Sequence, residues 1–186
     1  VSGFFLVAPL LAAGLYELSR QTGRGRKIMF IDSLRCYQRN GQSLALFGLV
    51  VGLAALFWER FSAIAFALLG DSSGASSGVF LGRILLSGQY DVFVITWFAL
   101  GGLLALFIFA LSVVSVPLML DRDSDFVTAM ATSLQAFMNN AGPLLLWAAL
   151  IVFLGLLGFA TLLFGLVVIM PIVGHASWHA YRDLVE

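Results

Sequence analysis

The sequence is poor in cysteine and in charge, and both shortages exclude whole classes of site. Its 186 residues include one cysteine, ten basic residues and ten acidic residues. A single cysteine can form neither an internal disulfide nor a paired-cysteine metal site. Balanced charges remove the overall basic surface expected of a nucleic-acid-binding protein, so no nucleic-acid partner is expected.

What the sequence has instead is apolar residues. Hydrophobic residues make up 61% of the chain, and the mean hydropathy is +1.01, whereas roughly 45–50% apolar residues are usual in soluble domains. So little polar surface cannot cover a water-soluble domain, which makes lipid the expected solvent. The predicted fold is therefore all-α, a polytopic transmembrane helical bundle, with residues 1–186 forming one transmembrane domain.

Apolar and mixed segments alternate along the chain. Membrane spans are predicted near residues 1–18, 43–69, 92–120, 143–160 and 163–181, and interfacial amphipathic helices near 28–40 and 124–140. The last apolar stretch, taken as one helix, would measure about 58 Å against roughly 40–45 Å for a whole bilayer, so a turn is predicted between Gly155 and Gly165. Because the chain starts within an apolar run and without methionine, we expect it to be N-terminally truncated.

An internal repeat supports this division. Residues 31–40 align without gaps on residues 131–140, and Asn40 falls on Asn140. Pro9, Tyr16 and Arg20 are spaced from one another as Pro171, Trp178 and Arg182 are. The predicted unit is a tandem hairpin of two spans followed by a surface helix.

Basic residues are divided unequally between the two sides of these spans. One side carries Arg20, Arg24, Arg26, Lys27, Arg35, Arg39, Arg122 and Arg182, and the other carries Arg60 and Arg83. The richer side, with the C-terminus, is predicted to face the cytoplasm. The predicted membrane-interface residues are Arg20, Arg24, Arg26, Lys27, Trp178, Tyr181 and Arg182.

His175 and His179 are the only candidate cofactor ligands. Spaced four apart, they project from one face of a helix. Two histidines are too few donors for a zinc site, so the favoured interpretation places both in the interfacial belt, with no metal and no cofactor. No catalytic residue is identified.

Two groups of charged residues have structural interpretations. Asp121, Asp123 and Asp125 alternate like the start of a calcium loop, but the downstream glycine and glutamate are absent, which favours a solvated turn. Glu59 and Arg60 are expected to mark the water boundary of a span. Placed deeper in the membrane, they would instead form a functional pair.

Several segments resemble a known family. They are GFFLVAP (3–9), GLYELSR (14–20), PLMLDRD (117–123) and GHASWHAYRDL (174–184). They are similar to a bacterial family of predicted integral membrane proteins of unknown function, domain of unknown function 2189. The resemblance implies six spans in a full-length protein located in the bacterial inner membrane, and it supplies no catalytic residues.

Three functions are compatible with these features. The favoured hypothesis is a non-catalytic accessory, scaffold or assembly subunit of an inner-membrane complex, such as a respiratory one, with the lipid bilayer and other membrane-protein subunits as partners. The alternative is a small transporter or lipid-handling permease, suggested by the tandem hairpins. An enzyme ranks third and would have to use His175 and His179.

Overall fold

The computed structural model describes residues 13–19, 21, 30–69 and 90–185, and every regular element in these ranges is helical. Helical residues 13–19 precede six helices: α1 (Phe30–Leu69), α2 (Asp91–Ser112), α3 (Ser115–Arg122), α4 (Phe126–Asn139), α5 (Ala141–Ala160) and α6 (Phe164–Val185). The predicted all-α fold is confirmed.

Four segments of the described chain are long and apolar enough to cross a membrane. They are Asn40–Leu68, Asp91–Arg122, Ala141–Ala160 and Phe164–Val185. Large apolar side chains on these helices face outward, among them Phe57, Leu103, Leu146, Phe153 and Val167. This exterior suits lipid rather than water. Of the predicted fifth span, near 1–18, only residues 13–19 lie within the described part. The single-domain assignment for 1–186 stays a prediction.

The repeat is visible in the backbone at its two asparagines. Asn40 interrupts α1 with φ −139° and ψ 41°, and Asn140 separates α4 from α5 with φ −129° and ψ 40°. In both places a shorter helix ends and a spanning helix begins. Leu44 and Leu144, four residues further on in each unit, are both buried. The predicted surface helix near 28–40 is helical from Phe30.

The predicted span 92–120 is not one helix, because the chain breaks at Val113 and Val114. Pro117 has no N–H, and its ring crowds the carbonyl four residues earlier, which loosens the helix at this point. The Ser133 hydroxyl of α4 enters the gap: it accepts a hydrogen bond from Val114 N (3.1 Å) and donates one to Ala110 O (2.7 Å). A side chain thus replaces one backbone bond of the ladder.

The core gathers around α3. Residues 113–120 are all buried, and α3 contacts α1, α2, α4 and α6. Asn40 ties α1 to this region, because its side-chain amide donates to Met119 O (3.0 Å) and Ser124 O (2.8 Å). This part of the bundle is called the Asn40 end below.

Helix α4 lies within the range 124–140 predicted for an amphipathic helix. Phe126, Met130 and Phe137 pack against the core, but Met138 is 72% exposed. The buried line runs through Ala129 and Ser133 instead. Small side chains there let α4 lie close to α2 and α3, which apolar periodicity alone does not indicate.

A turn at residues 161–163 separates α5 from α6, inside the predicted interval. Leu162 and Leu163 have φ values of 52° and 73°. The Thr161 hydroxyl donates to Gly158 O (2.9 Å) and accepts from Gly165 N (2.9 Å). These bonds hold two antiparallel helices together across three residues.

Candidate functional site

The Asn40 end contains a polar cluster built around His175. Ser19 Oγ lies 2.5 Å from His175 Nδ1 and donates to Leu15 O at 2.9 Å. A hydroxyl has one proton, so with that proton on Leu15 O the imidazole Nδ1–H is the donor to Ser19. Gly174 makes the approach of residues 13–19 to α6 possible, since a Cβ there would lie 2.9 Å from Leu15 Cδ1.

Other polar side chains extend the contact between residues 13–19 and α6. The Tyr16 and Ser177 hydroxyls are hydrogen-bonded. Glu17 is buried and accepts a bond from Gln21 Nε2 at 3.0 Å. These groups fasten one helix to another. Ser19 and His175 are a hydroxyl and an imidazole in contact, but with Nδ1–H as the donor the imidazole does not act as a base toward that hydroxyl.

The histidine pair has no further metal-ligating side chain grouped with it in the described part of the chain. His175 and His179 are both exposed, and no group of three metal-ligating side chains occurs among the described residues. Whether either histidine binds a cofactor stays a prediction. The structure assigns His175 a partner, Ser19, that the sequence did not indicate.

Trp178 and Tyr181 lie inside the protein at the Asn40 end. Their rings are 5.4 Å apart, and they are only 4% and 2% exposed. The Tyr181 hydroxyl donates to Asp121 Oδ2 at 3.4 Å. Their predicted contact with the membrane interface is untested, but the rings pack on protein. Arg182 is exposed, and Arg20, Arg24, Arg26 and Lys27 lie outside the described residues.

The aspartates of 121–125 have separate structural tasks. Asp121 accepts from Tyr181, Asp123 has a left-handed φ of 51°, and Asp125 begins α4 by accepting from Thr128 N at 2.9 Å. That bond lowers the pKa of Asp125 below its ordinary value of 3.8. These roles agree with a turn between two helices.

A second candidate site is a groove of about 730 Å³ between α1 and α2, open along one side. Its walls are mostly apolar or small: Val51, Ala54, Ala55, Gly101, Leu104, Ala105, Ile108 and Phe109. The end of the groove away from Asn40 is lined by Trp58, Glu59, Ser62 and Trp97, and Ser112 completes the lining. We call it the α1–α2 groove.

Aromatic contacts hold that end of the groove together. The Trp58 and Trp97 rings are 5.5 Å apart, and Trp97 Nε1 donates to Ser62 Oγ at 2.9 Å. Gly101 is required because a Cβ there would lie 2.7 Å from Trp58 Cζ2. Phe66 adds contacts at 5.5 Å to the Trp97 ring. These contacts hold α1 and α2 together at this end of the groove.

Glu59 and Arg60 are not at the end of an apolar segment. α1 continues without a break to Leu69, and beyond the pair Ile64 and Leu68 are exposed. Glu59 lies nine residues before Leu68, about 14 Å along the helix axis. Both charged side chains are exposed within this apolar surface. The 19 steps along α1 from Asn40 to Glu59 already measure about 28 Å, close to the roughly 30 Å thickness of a hydrocarbon core, so the placement of the pair at the water boundary stays a prediction.

The groove could not be predicted directly from the sequence, because its walls come from residues 35 to 61 positions apart on two helices. The aromatic and small residues that line it look in sequence like ordinary lipid-facing and packing residues. Only the adjacent charged residues Glu59 and Arg60 indicated from the sequence that this part of α1 differs from an ordinary membrane span.

A family model agrees with the resemblance seen in the sequence. The model described as Predicted integral membrane protein (DUF2189) matches residues 1–121. Comparison with curated proteins and with solved structures gave no significant match. The match covers more than half of the chain and includes α1, α2 and most of α3. The chain belongs to this family of integral membrane proteins, the predicted integral membrane proteins of DUF2189.

Proposed function

We propose that this protein is a non-catalytic accessory or assembly subunit of a larger complex in the bacterial inner membrane, with its C-terminus in the cytoplasm. The observation that supports this proposal is the low burial of α5. Only 11% of its spanning window is buried, and its principal contacts within the described chain are with α6. A spanning helix at the periphery of the bundle is available to a partner.

The surface of α5 suits another helix. Ala141, Ala148 and Gly155 follow each other at intervals of seven residues, so they lie along one side of the helix. All three are partly buried, and a Cβ at Gly155 would meet nothing within 4 Å. Small side chains with free space beside them let the backbones of two membrane helices approach closely, which is the usual basis of their association.

Quantitative co-purification tests this function. The tagged full-length protein, extracted in mild detergent, is expected to carry a fixed stoichiometry of another membrane polypeptide. Gly155→Leu should remove that polypeptide because the new side chain fills the seam. Ala149→Leu, at an exposed position about 100° round α5 from Ala148, is the matched control and should retain it. A monodisperse wild-type particle without a second polypeptide would overturn the proposal.

The proposed orientation has its own test. Fluorescent-protein and alkaline-phosphatase fusions after Arg182 report the side of the membrane on which the terminus lies. Fluorescence without phosphatase activity is the expected result, and the opposite pattern would reverse the topology.

The α1–α2 groove favours a second candidate, the lipid-handling permease. A laterally open apolar groove is the form expected of a site that receives its ligand from the bilayer. Proteoliposomes containing the purified protein would exchange labelled phospholipids between leaflets if this function is correct. Exchange no faster than in protein-free vesicles would eliminate it.

A further inference from the structure

The dimensions of the α1–α2 groove limit what it can hold. The groove follows α1 for about 16 Å, the length from Val51 to Ser62 at 1.5 Å per residue. Its volume of about 730 Å³ falls within the roughly 300–1,000 Å³ of small-molecule sites. An apolar chain is the occupant that fits.

The surroundings of the groove supply that chain. Leu53, Phe57 and Leu103 on the same two helices are exposed as lipid-facing residues, so hydrocarbon rather than water reaches the opening. Because the lining is apolar along most of its length, an acyl chain can enter without removing a hydrogen bond. The volume and lining alone do not select a headgroup.

Charge at one end of the groove makes that selection. Glu59 lines the groove, whereas Arg60 projects about 100° further round α1 and is not among the lining residues. The Glu59 carboxylate complements the ammonium group of a zwitterionic headgroup. Glu59 already makes another interaction, but its two carboxylate oxygens can accept several donors.

The two indoles support a cationic ligand group beside Glu59. Trp58 and Trp97 line the same end of the groove, and the faces of indole rings attract ammonium groups. Tryptophan is also the residue typically found at the level of lipid headgroups. An anionic headgroup at this end would be repelled by Glu59.

We propose that the α1–α2 groove binds a zwitterionic, amine-bearing phospholipid of the phosphatidylethanolamine class. One acyl chain lies along Ala54 and Ala105, and the ammonium group binds at the Glu59 carboxylate. The ammonium group adds a counter-charge to this carboxylate at the edge of the apolar surface, where charge is costly. The proposal rests neither on a partner subunit nor on lipid transport.

Native mass spectrometry of the full-length protein in detergent tests this assignment. Phosphatidylethanolamine and phosphatidylglycerol with identical acyl chains are added in turn, and the retained lipid is counted. The wild type is expected to retain the former about ten-fold better. Glu59→Gln should bring the two lipids to equal retention, because the acyl-chain site remains and the ammonium partner is lost.

A second variant separates the chain site from the headgroup site. Ala105→Phe places a ring in the groove and should abolish retention of both lipids, whereas Ala149→Phe on α5 should leave both unchanged. A phosphatidylethanolamine with a photoreactive acyl chain provides an independent measurement on the wild type, with labelling expected in peptides 51–62 and 97–112. Equal retention of both lipids by the wild type, or labelling spread evenly over all helices, would overturn the proposal.

Discussion

Ser133→Ala is expected to be among the most damaging small substitutions in the protein. The hydroxyl is fully buried and bridges Val114 N and Ala110 O. Without it, one backbone donor and one backbone acceptor lose their partner away from water, at about 1–3 kcal/mol each. Pro117 opposes closure of the gap, so partial relaxation leaves an expected loss of about 2–4 kcal/mol.

Unfolding in detergent micelles measures this loss. The protein in dodecylmaltoside is titrated with sodium dodecyl sulfate and followed by tryptophan fluorescence. Thr132→Ala is the matched control, because its hydroxyl bonds only Thr128 O within the same helix and lies at a more exposed position. The control should change the free energy of unfolding by less than about 1 kcal/mol. A Ser133→Ala value equal to that of the control would refute the bridging role.

Two further pairs of variants test the repeat and the groove by the same titration. Asn40→Ala should lower the free energy of unfolding by about 1–3 kcal/mol, because two carbonyls lose their donor. Asn140→Ala should lower it less, because the Asn140 amide bonds only Ala136 O, at 3.2 Å, within its own helix. Equal losses for the two variants would contradict this difference. Gly101→Ala should cost about 1–3 kcal/mol and shift the fluorescence of the displaced Trp58. Gly102→Ala, with nothing within 4 Å of a Cβ, should be neutral, and an unshifted spectrum for Gly101→Ala would contradict the close contact.

Much of the fold follows from local properties of the sequence. The length of the apolar stretch 143–181 requires a turn, and Gly158 and Gly165 are small enough for the helices to meet there. Asn40 and Asn140 take similar backbone angles because each ends a mixed helix before an apolar one. Such features depend on neighbouring residues, which a sequence displays directly.

Contacts between distant residues could not be predicted in the same way. Ser19 and His175 are 156 positions apart, and neither residue lies in a sequence pattern that predicts their contact. Burial of Trp178 and Tyr181 likewise depends on α3 packing beside α6, since aromatic residues at a helix end suit either lipid headgroups or protein. The α1–α2 groove is a property of two helices together and has no single-helix signature.

The three-residue turn between α5 and α6 has a consequence for biosynthesis. Leu162 and Leu163 are apolar and exposed, and the turn carries no charged group that would remain in water while α5 alone crossed the bilayer. Because only three residues separate the two helices, α6 emerges from the ribosome directly after α5. We therefore expect α5 and α6 to enter the bilayer together as a helical hairpin, with the Thr161 hydroxyl bonding Gly158 O and Gly165 N at the turn.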